Sequence, residues 1–396
     1  MTADLLWPGD SRAGVLFTDE AIVAAMVRVE TAWLGALHAH GLAPAAVDLR
    51  GLVGPADLPG LAEAAEGGGN PVIPLVSLLR ERLRPRDSSA AEAVHAGLTS
   101  QDVLDTAIVL CLRDVAERVG AELSTQIDAL SGLADRHRGT RMAGRTLTQH
   151  AIPITFGLKA ATWLQAVLDA RDTLHAVVLP AQIGGAAGSL AAPTALAGSP
   201  ERALDLVTVT AAELGLPARP PWHTARAPLT RVADALVTCT DAWGRIANDV
   251  LVATRPEVGE LTEPAGEDRG GSSAMPQKQN PVLAVLVRRA ALAAPPLAAT
   301  MHLAAAEAVD ERPDGSWHVE WATLRTLARR TVVAGSQTAE LLTGLRVDAE
   351  RMAGTLAAAR PGIDAERDKV GDEGPYLGAT DRLIDAALDR AREKPC

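Results

Sequence analysis

The run GGSSAMPQKQNP from Gly270 to Pro281 sets Ser272, Lys278 and Asn280 at short, fixed spacing on a glycine-rich loop. Glycines let a backbone approach a ligand closely and leave N–H groups free to point at it. Asn280-Pro281 reads as an N-cap followed by proline at the first helical position, which would turn the positive end of a helix dipole toward the loop. A loop of this kind binds anions. The chemistry that needs it is removal of a proton from a carbon beside a carboxylate, because the carbanion loads a second negative charge onto the carboxylate oxygens. Lys278, the Asn280 amide and the helix end would hold that charge. Ser272 is the candidate base, provided the same lysine and N–H groups stabilise its alkoxide. The plain alternative is a Gly/Ser/Pro linker ahead of a helix.

Other polar clusters lie upstream. His95 to Asp102 (HAGLTSQD) ends a loop and opens a long helical pattern, so Thr99, Ser100 and Gln101 gather at a helix N-terminus. That is a second anion site, or ordinary capping by Thr99 or Ser100. Gly144 to Ala151 (GRTLTQHA) precedes a helix expected near Pro153, and taken singly its His150 is a structural histidine. Gly184 to Ser189 is either a ligand-facing loop or a place where small residues allow close helix packing. Pro221 to Arg226 supplies a guanidinium that could clamp a carboxylate bidentately, or form a surface ion pair. Trp317 to Trp321 reads as core or interface, with Glu320 inviting a basic partner.

The elements that must position these residues are helices. Thr18 can cap a first helix whose Ile22, Met26, Val29, Trp33 and Leu37 share one face before Gly41. Residues 42–70 read as loop with at most a short helix, followed by an apolar helix over 72–83. From 101 to 138, Ile108, Cys111, Val115, Val119, Leu123, Ile127 and Leu130 recur at spacings of three and four, as in a bundle seam. Further long helices are expected over 153–178, 229–255, 281–310 with a bend at Pro295-Pro296, and 318–344. Strand signals are nearly absent. Helices far above the usual length of about 11–12 residues must be buried along much of their length, so the pattern implies a bundle extended by other subunits.

Composition narrows the class. The 396 residues are 47% hydrophobic but only 3% aromatic, so the interior is built from Ala, Leu and Val, which suits close-packed helices. A net charge of −11 argues against nucleic-acid binding and gives no sign of membrane attraction. Cys111, Cys239 and Cys396 are far apart and show no metal spacing, as expected of reduced thiols in a cytoplasmic protein. The N-terminus lacks a basic-then-apolar signal pattern.

The loop up to Pro281 matches the signature of the fumarase/aspartase superfamily, and the segments at His95 and Gly144 fall in the order of its two other active-site segments. AGLTSQDVLDTA, TFGLKAATWL, QIGGAAGSLA, PWHTAR, SSAMPQKQNPVLAVL and WHVEW together resemble the 3-carboxy-cis,cis-muconate cycloisomerase family, over about Leu5 to Leu345. The resemblance implies an all-α long-helix bundle, assembled as a homotetramer whose active sites are each shared by three subunits. It divides the chain into an N-terminal helical domain (1–100), a central bundle (101–345) and a truncated C-terminal helical region (346–396). About fifty residues of the usual third domain are missing between Leu356 and Tyr376. It carries over Ser272 as base, Lys278 and Asn280 as carboxylate binders, and Thr99, Ser100, Thr146 and Gln149 as substrate contacts. Met275, within the signature, joins the substrate-binding set, as does Arg226 through its clamp. His95 and Arg145 match further substrate-facing positions, and His95 is placed with the catalytic group.

One departure bears on the reaction. Fumarases and the lyases that release amines carry a general-acid histidine after the threonine, where this chain has Leu147. An amine or hydroxide needs a proton to leave, whereas a carboxylate opening from a lactone does not. Leu147 thus argues for a lactone-type reaction, and the resemblance implies cycloisomerisation of 3-carboxy-cis,cis-muconate in protocatechuate catabolism, acting on a small anionic polycarboxylate without a cofactor or metal. The alternative is a lyase eliminating a good leaving group, such as nitrite from nitrosuccinate, to give fumarate. A catalytically silent scaffold on the same fold is disfavoured by the intact Ser272, Lys278 and Asn280.

Overall fold

A computed structural model describes residues 4–393 apart from 265, 267, 268, 272, 273, 276, 277, 371–373 and 375. The first helix, α1 (Asp19–Ala39), starts where Thr18 accepts the Ala21 N–H at 3.3 Å, and Met26, Val29, Trp33 and Leu37 form its buried face. Three shorter helices follow, α2 (Leu58–Gly68), α3 (Val72–Leu83) and α4 (Ser88–Ala93). The axis of the molecule is α5 (Ser100–Arg136), whose 37 residues extend about 55 Å at 1.5 Å per residue. Every member of its sequence-predicted seam, from Ile108 to Leu130, is buried.

A β-hairpin then interrupts the helices: β1 (Arg141–Thr146) pairs antiparallel with β2 (Gln149–Thr155), with Thr146 opposite Gln149. The sequence reading placed only a polar cluster there. Its two-residue turn is Leu147-Thr148, with φ of 48° and 70°, a conformation normally given to Asn-Gly or Gly-Gly. The usual sign of a tight hairpin is therefore missing.

The chain returns along α6 (Phe156–His175), adds α7 (Ala191–Ala197) and α8 (Pro200–Leu214), and rises again in α9 (Ala227–Ala253). After the two-residue strand β3 (Leu261–Thr262) come the long helices α10 (Val282–Ala306) and α11 (Gly315–Thr343). Strand β4 (Arg346–Val347) pairs with β3, and α12 (Ala349–Val370) and α13 (Thr380–Arg392) complete the order. The bundle core is α5 against α1, α6 and α11, with α9 and α10 packed together and both touching α11. Helix α10 carries Pro295-Pro296 within one continuous element.

By length and composition α1 and α10 could each cross a bilayer. In the fold α1 packs on α5 and α8, and α10 on α9 and α11. The other face of α10 leaves Val285, Leu292 and Leu303 from 50% to 69% exposed.

Candidate active site

Two polar centres lie at opposite ends of α5. At its start, the buried Asp102 carboxylate accepts the N–H groups of Thr99 (3.0 Å), Gly184 (2.8 Å) and Gly185 (2.9 Å). It thereby ties the loop before the helix to the Gly184–Ser189 segment. Only glycine fits at 184, because a Cβ there would collide with the His223 ring and Pro221, and Gly185 has φ of 70°. That loop is thus explained by packing and by its bonds to Asp102.

Thr99 and Ser100 are both 9% exposed, and the Thr99 hydroxyl accepts a bond from Arg312 at 2.9 Å. His95 sits beside them with a left-handed backbone (φ 63°), unusual for a residue with a side chain. Its Nδ1 lies 2.6 Å from the Glu30 carboxylate of α1, which is fully buried.

Arg226 belongs to this end, but the structure corrects its expected role. Its guanidinium is inaccessible and already clamped, by Asp105 at 2.6 Å and by Glu320 at 2.5 Å, with further bonds to both. No donor fork remains for a substrate carboxylate. Burial opposes its charge, but the two carboxylates together raise its pKa. Glu320 is also raised, first by burial and further by Asp105, although Arg226 pulls the other way. Asp105 also accepts from Gln101 Nε2 at 3.2 Å and from Trp317 Nε1 at 2.9 Å.

At the far end of α5 the hairpin carries Arg145, Thr146 and Gln149. Arg145 donates bidentately to the buried Glu260 at 2.8 and 2.9 Å, so its fork too is occupied by a protein carboxylate rather than open to substrate. Thr146 and Gln149 are exposed at the tip, together with Leu147, which is 96% exposed. The loop after β3 lies at this same end. Glu263 accepts the N–H groups of Leu283 (3.0 Å) and Ala284 (2.7 Å).

That last contact revises the sequence expectation for Asn280. The helix begins at Val282, and its free N–H groups are taken by Glu263, not by an Asn280 cap. Asn280 instead closes the loop, its backbone N–H and side-chain amide both donating to Gly270 O at 2.8 and 3.1 Å. The helix dipole is thus answered by a protein carboxylate, whose pKa burial raises against the pull of those two N–H groups. Lys278 and Met275 are exposed on the loop, and Ser272 lies outside the described residues.

The structure therefore brings His95, Thr99 and Ser100 together at one end, and Arg145, Thr146, Gln149, Lys278 and Asn280 at the other. With about 55 Å of α5 between them, the two sets cannot line one pocket within a single chain. Sequence reasoning missed Glu30, Glu260 and Glu263, three carboxylates that hold candidate residues or their loops. Glu30 was hidden in an apolar helical stripe, and the other two sit beside β3, where no motif pointed to them.

Cys111 and Cys239 are buried thiols pushed up to about 12 by desolvation, which suits inert core residues. Among the described residues no group of three or more His, Cys, Asp or Glu is placed to hold a metal ion.

Comparison with known proteins places this geometry. A family model described as a lyase matches residues 70–294. Nitrosuccinate lyase of Streptomyces davaonensis is 46% identical over 359 residues, covering 88% of this chain and 76% of that protein. The 3-carboxy-cis,cis-muconate cycloisomerase of Bradyrhizobium diazoefficiens is 40% identical over 393 residues, covering 94% and 83%. Among solved structures, the 3-carboxy-cis,cis-muconate lactonizing enzyme of Pseudomonas putida superposes with a TM-score of 0.82 at 30% identity, covering 95% of this chain and 96% of that one. A fumarate lyase from Mesorhizobium gives 0.83 at 27%, covering 96% and 98%. Similarity of this extent in both sequence and architecture makes the chain an enzyme of the fumarase/aspartase superfamily of lyases.

Proposed function

We propose that the enzyme makes and breaks a bond one carbon away from a carbanion stabilised by a carboxylate, with 3-carboxy-cis,cis-muconate as substrate and its carboxylated lactone as product. In the lactone-forming direction a substrate carboxylate oxygen adds to one carbon of a double bond, and the neighbouring carbon is protonated. In the reverse direction Ser272 removes that proton, the C–O bond breaks, and the carboxylate departs with the electron pair. Lys278 and Asn280 hold the carboxylate that carries the extra charge.

The observation that carries the unaided departure of the leaving group is Leu147. An exposed hydrocarbon side chain stands at the hairpin tip between Thr146 and Thr148, where it can protonate nothing. The leaving group must therefore depart without help from that position. The four cycloisomerases at 35% to 40% identity support the choice of substrate.

The site is shared between copies of the chain in a homotetramer. The separation of the two polar ends along α5 supports this, since residues that cannot meet within one chain can meet between chains. So do Leu147 and the exposed apolar face of α10, which another copy would cover.

A second reading is elimination of nitrite from nitrosuccinate to give fumarate. The 46% identity to a nitrosuccinate lyase favours it, and nitrite also leaves without an acid. The deciding experiment follows ultraviolet absorbance of the conjugated diene with 3-carboxy-cis,cis-muconate, and fumarate and nitrite release with nitrosuccinate. Diene loss with lactone formation upholds the first reading. Fumarate release without diene loss replaces it with the second.

A further inference from the structure

His95 is held on both sides of its own backbone and at its ring. Its flanking carbonyls are each fixed by a side chain from a different helix: Arg80 of α3 donates to Val94 O at 2.8 Å, and Trp33 of α1 donates to Ala96 O at 2.8 Å. Its own backbone is left-handed, a conformation that persists only where the surroundings impose it. One turn of α1 away from Trp33, Glu30 reaches the ring at Nδ1, 2.6 Å away.

Glu30 is itself an anomaly. It is fully buried on an otherwise apolar helix face, and its second oxygen, Oε2, has no hydrogen-bond partner. A buried carboxylate without a second donor is costly unless its one contact is strong and charge-assisted. Two nearby guanidiniums are engaged elsewhere, Arg80 with Val94 O and Arg312 with Thr99 Oγ1. His95 is thus the partner that answers Glu30. A carboxylate oxygen accepts, so the bond at Nδ1 calls for the ring N–H on that nitrogen. Nε2 is then left with its lone pair, 18% of the side chain being open to solvent.

We propose that Glu30 is a positioning residue that sets His95 as a proton acceptor at Nε2. In the lactone-opening or eliminating direction, the proton lost from the substrate carbon ends at Nε2. The resulting imidazolium is balanced by the Glu30 carboxylate. In the opposite direction Nε2 gives the proton back. This role in catalysis rests on the shared site and on the part given to Ser272 above.

The test uses the assembled protein labelled with 15N-histidine, with His95 assigned by its loss in His95→Asn. The wild type is expected to show the Nδ1–H tautomer, and Glu30→Leu to lose it. In turnover of whichever substrate the wild type accepts, Glu30→Leu is expected to lower kcat by roughly 10²-fold with KM changed less than about twofold, as loss of an acid–base group does. If Glu30→Leu does not assemble, Glu30→Gln keeps the buried volume and the same split between kcat and KM is read.

A wild-type ring protonated at Nε2 and bare at Nδ1 would overturn the proposal. So would wild-type kcat in the Glu30 variant or in His95→Asn. Failure of the wild type on both substrates is a different result: it removes the reading of function, while the tautomer still decides whether Glu30 sets the ring.

Discussion

The two ends of α5 handle charge in opposite ways. At its start, Asp102 takes three backbone N–H groups, and Arg226 lies between Asp105 and Glu320 with no access to solvent. At its far end, Thr146, Leu147, Gln149 and Lys278 face outward. The first end is a finished platform that carries His95, Thr99 and Ser100 at its edge. The second is an unfinished surface, with a strained turn and an exposed leucine that become reasonable when something packs against them. Polar residues in the same family signature can therefore serve two purposes. Those matched inside the chain fix shape, and those left unmatched are available to a substrate or to another chain.

The comparison breaks if removing a charge has the same consequence at both ends. The largest expected effect is at the platform: Arg226→Leu leaves Asp105 and Glu320 buried without their cation and should cost about 3–5 kcal/mol of stability. Urea unfolding reads it, and a loss below about 1 kcal/mol would show that the cluster is not the structural element described here. Lys278→Met is the matching change at the open end. Its unfolding midpoint should move by no more than about 0.5 kcal/mol. Its kcat should fall by about 10² to 10³, as loss of a charge-stabilising donor does. A destabilised variant with normal kcat would reverse the assignment of the two ends.

The smallest effect sharpens the description of the platform. Burial pushes the Glu320 carboxyl above its ordinary range. A group whose folded pKa is raised adds stability below its unfolded value and loses that contribution as pH rises through the folded value. The melting temperature should therefore drift down as pH increases from about 4.5, the ordinary glutamate range. Glu320→Gln, which keeps an oxygen facing Arg226, should flatten that drift. Equal slopes in the two proteins would show that Glu320 does not titrate apart from the rest.

Much of this was legible in the sequence, and the omissions share a cause. Helices α1, α3, α5, α9 and α11 were found within a few residues of their limits, because three-and-four spacing of apolar residues is a local signal. The hairpin was missed because its turn uses leucine and threonine in place of glycine or asparagine. Helix α8 was missed although Ser199 caps it and Pro200 opens it. The helical pattern was not followed past the glycine- and proline-rich run before it. The site motifs were found by type and spacing, but the partners that consume Arg226 and Arg145, and the carboxylate that caps α10 in place of Asn280, come from distant parts of the chain.

By itself the sequence determined the helical class, the long apolar seam of α5 and the family, since periodicity and motif spacing are properties of neighbouring residues. It also determined, through Leu147, that no acid stands at that position. Only the tertiary structure decided which charged side chains remain free to act. Whether a guanidinium meets a substrate or a buried carboxylate depends on what the fold brings to within about 3 Å of it. It also decided that the candidate residues fall into two groups, because a rigid helix of 37 residues holds its ends apart whatever its motifs suggest.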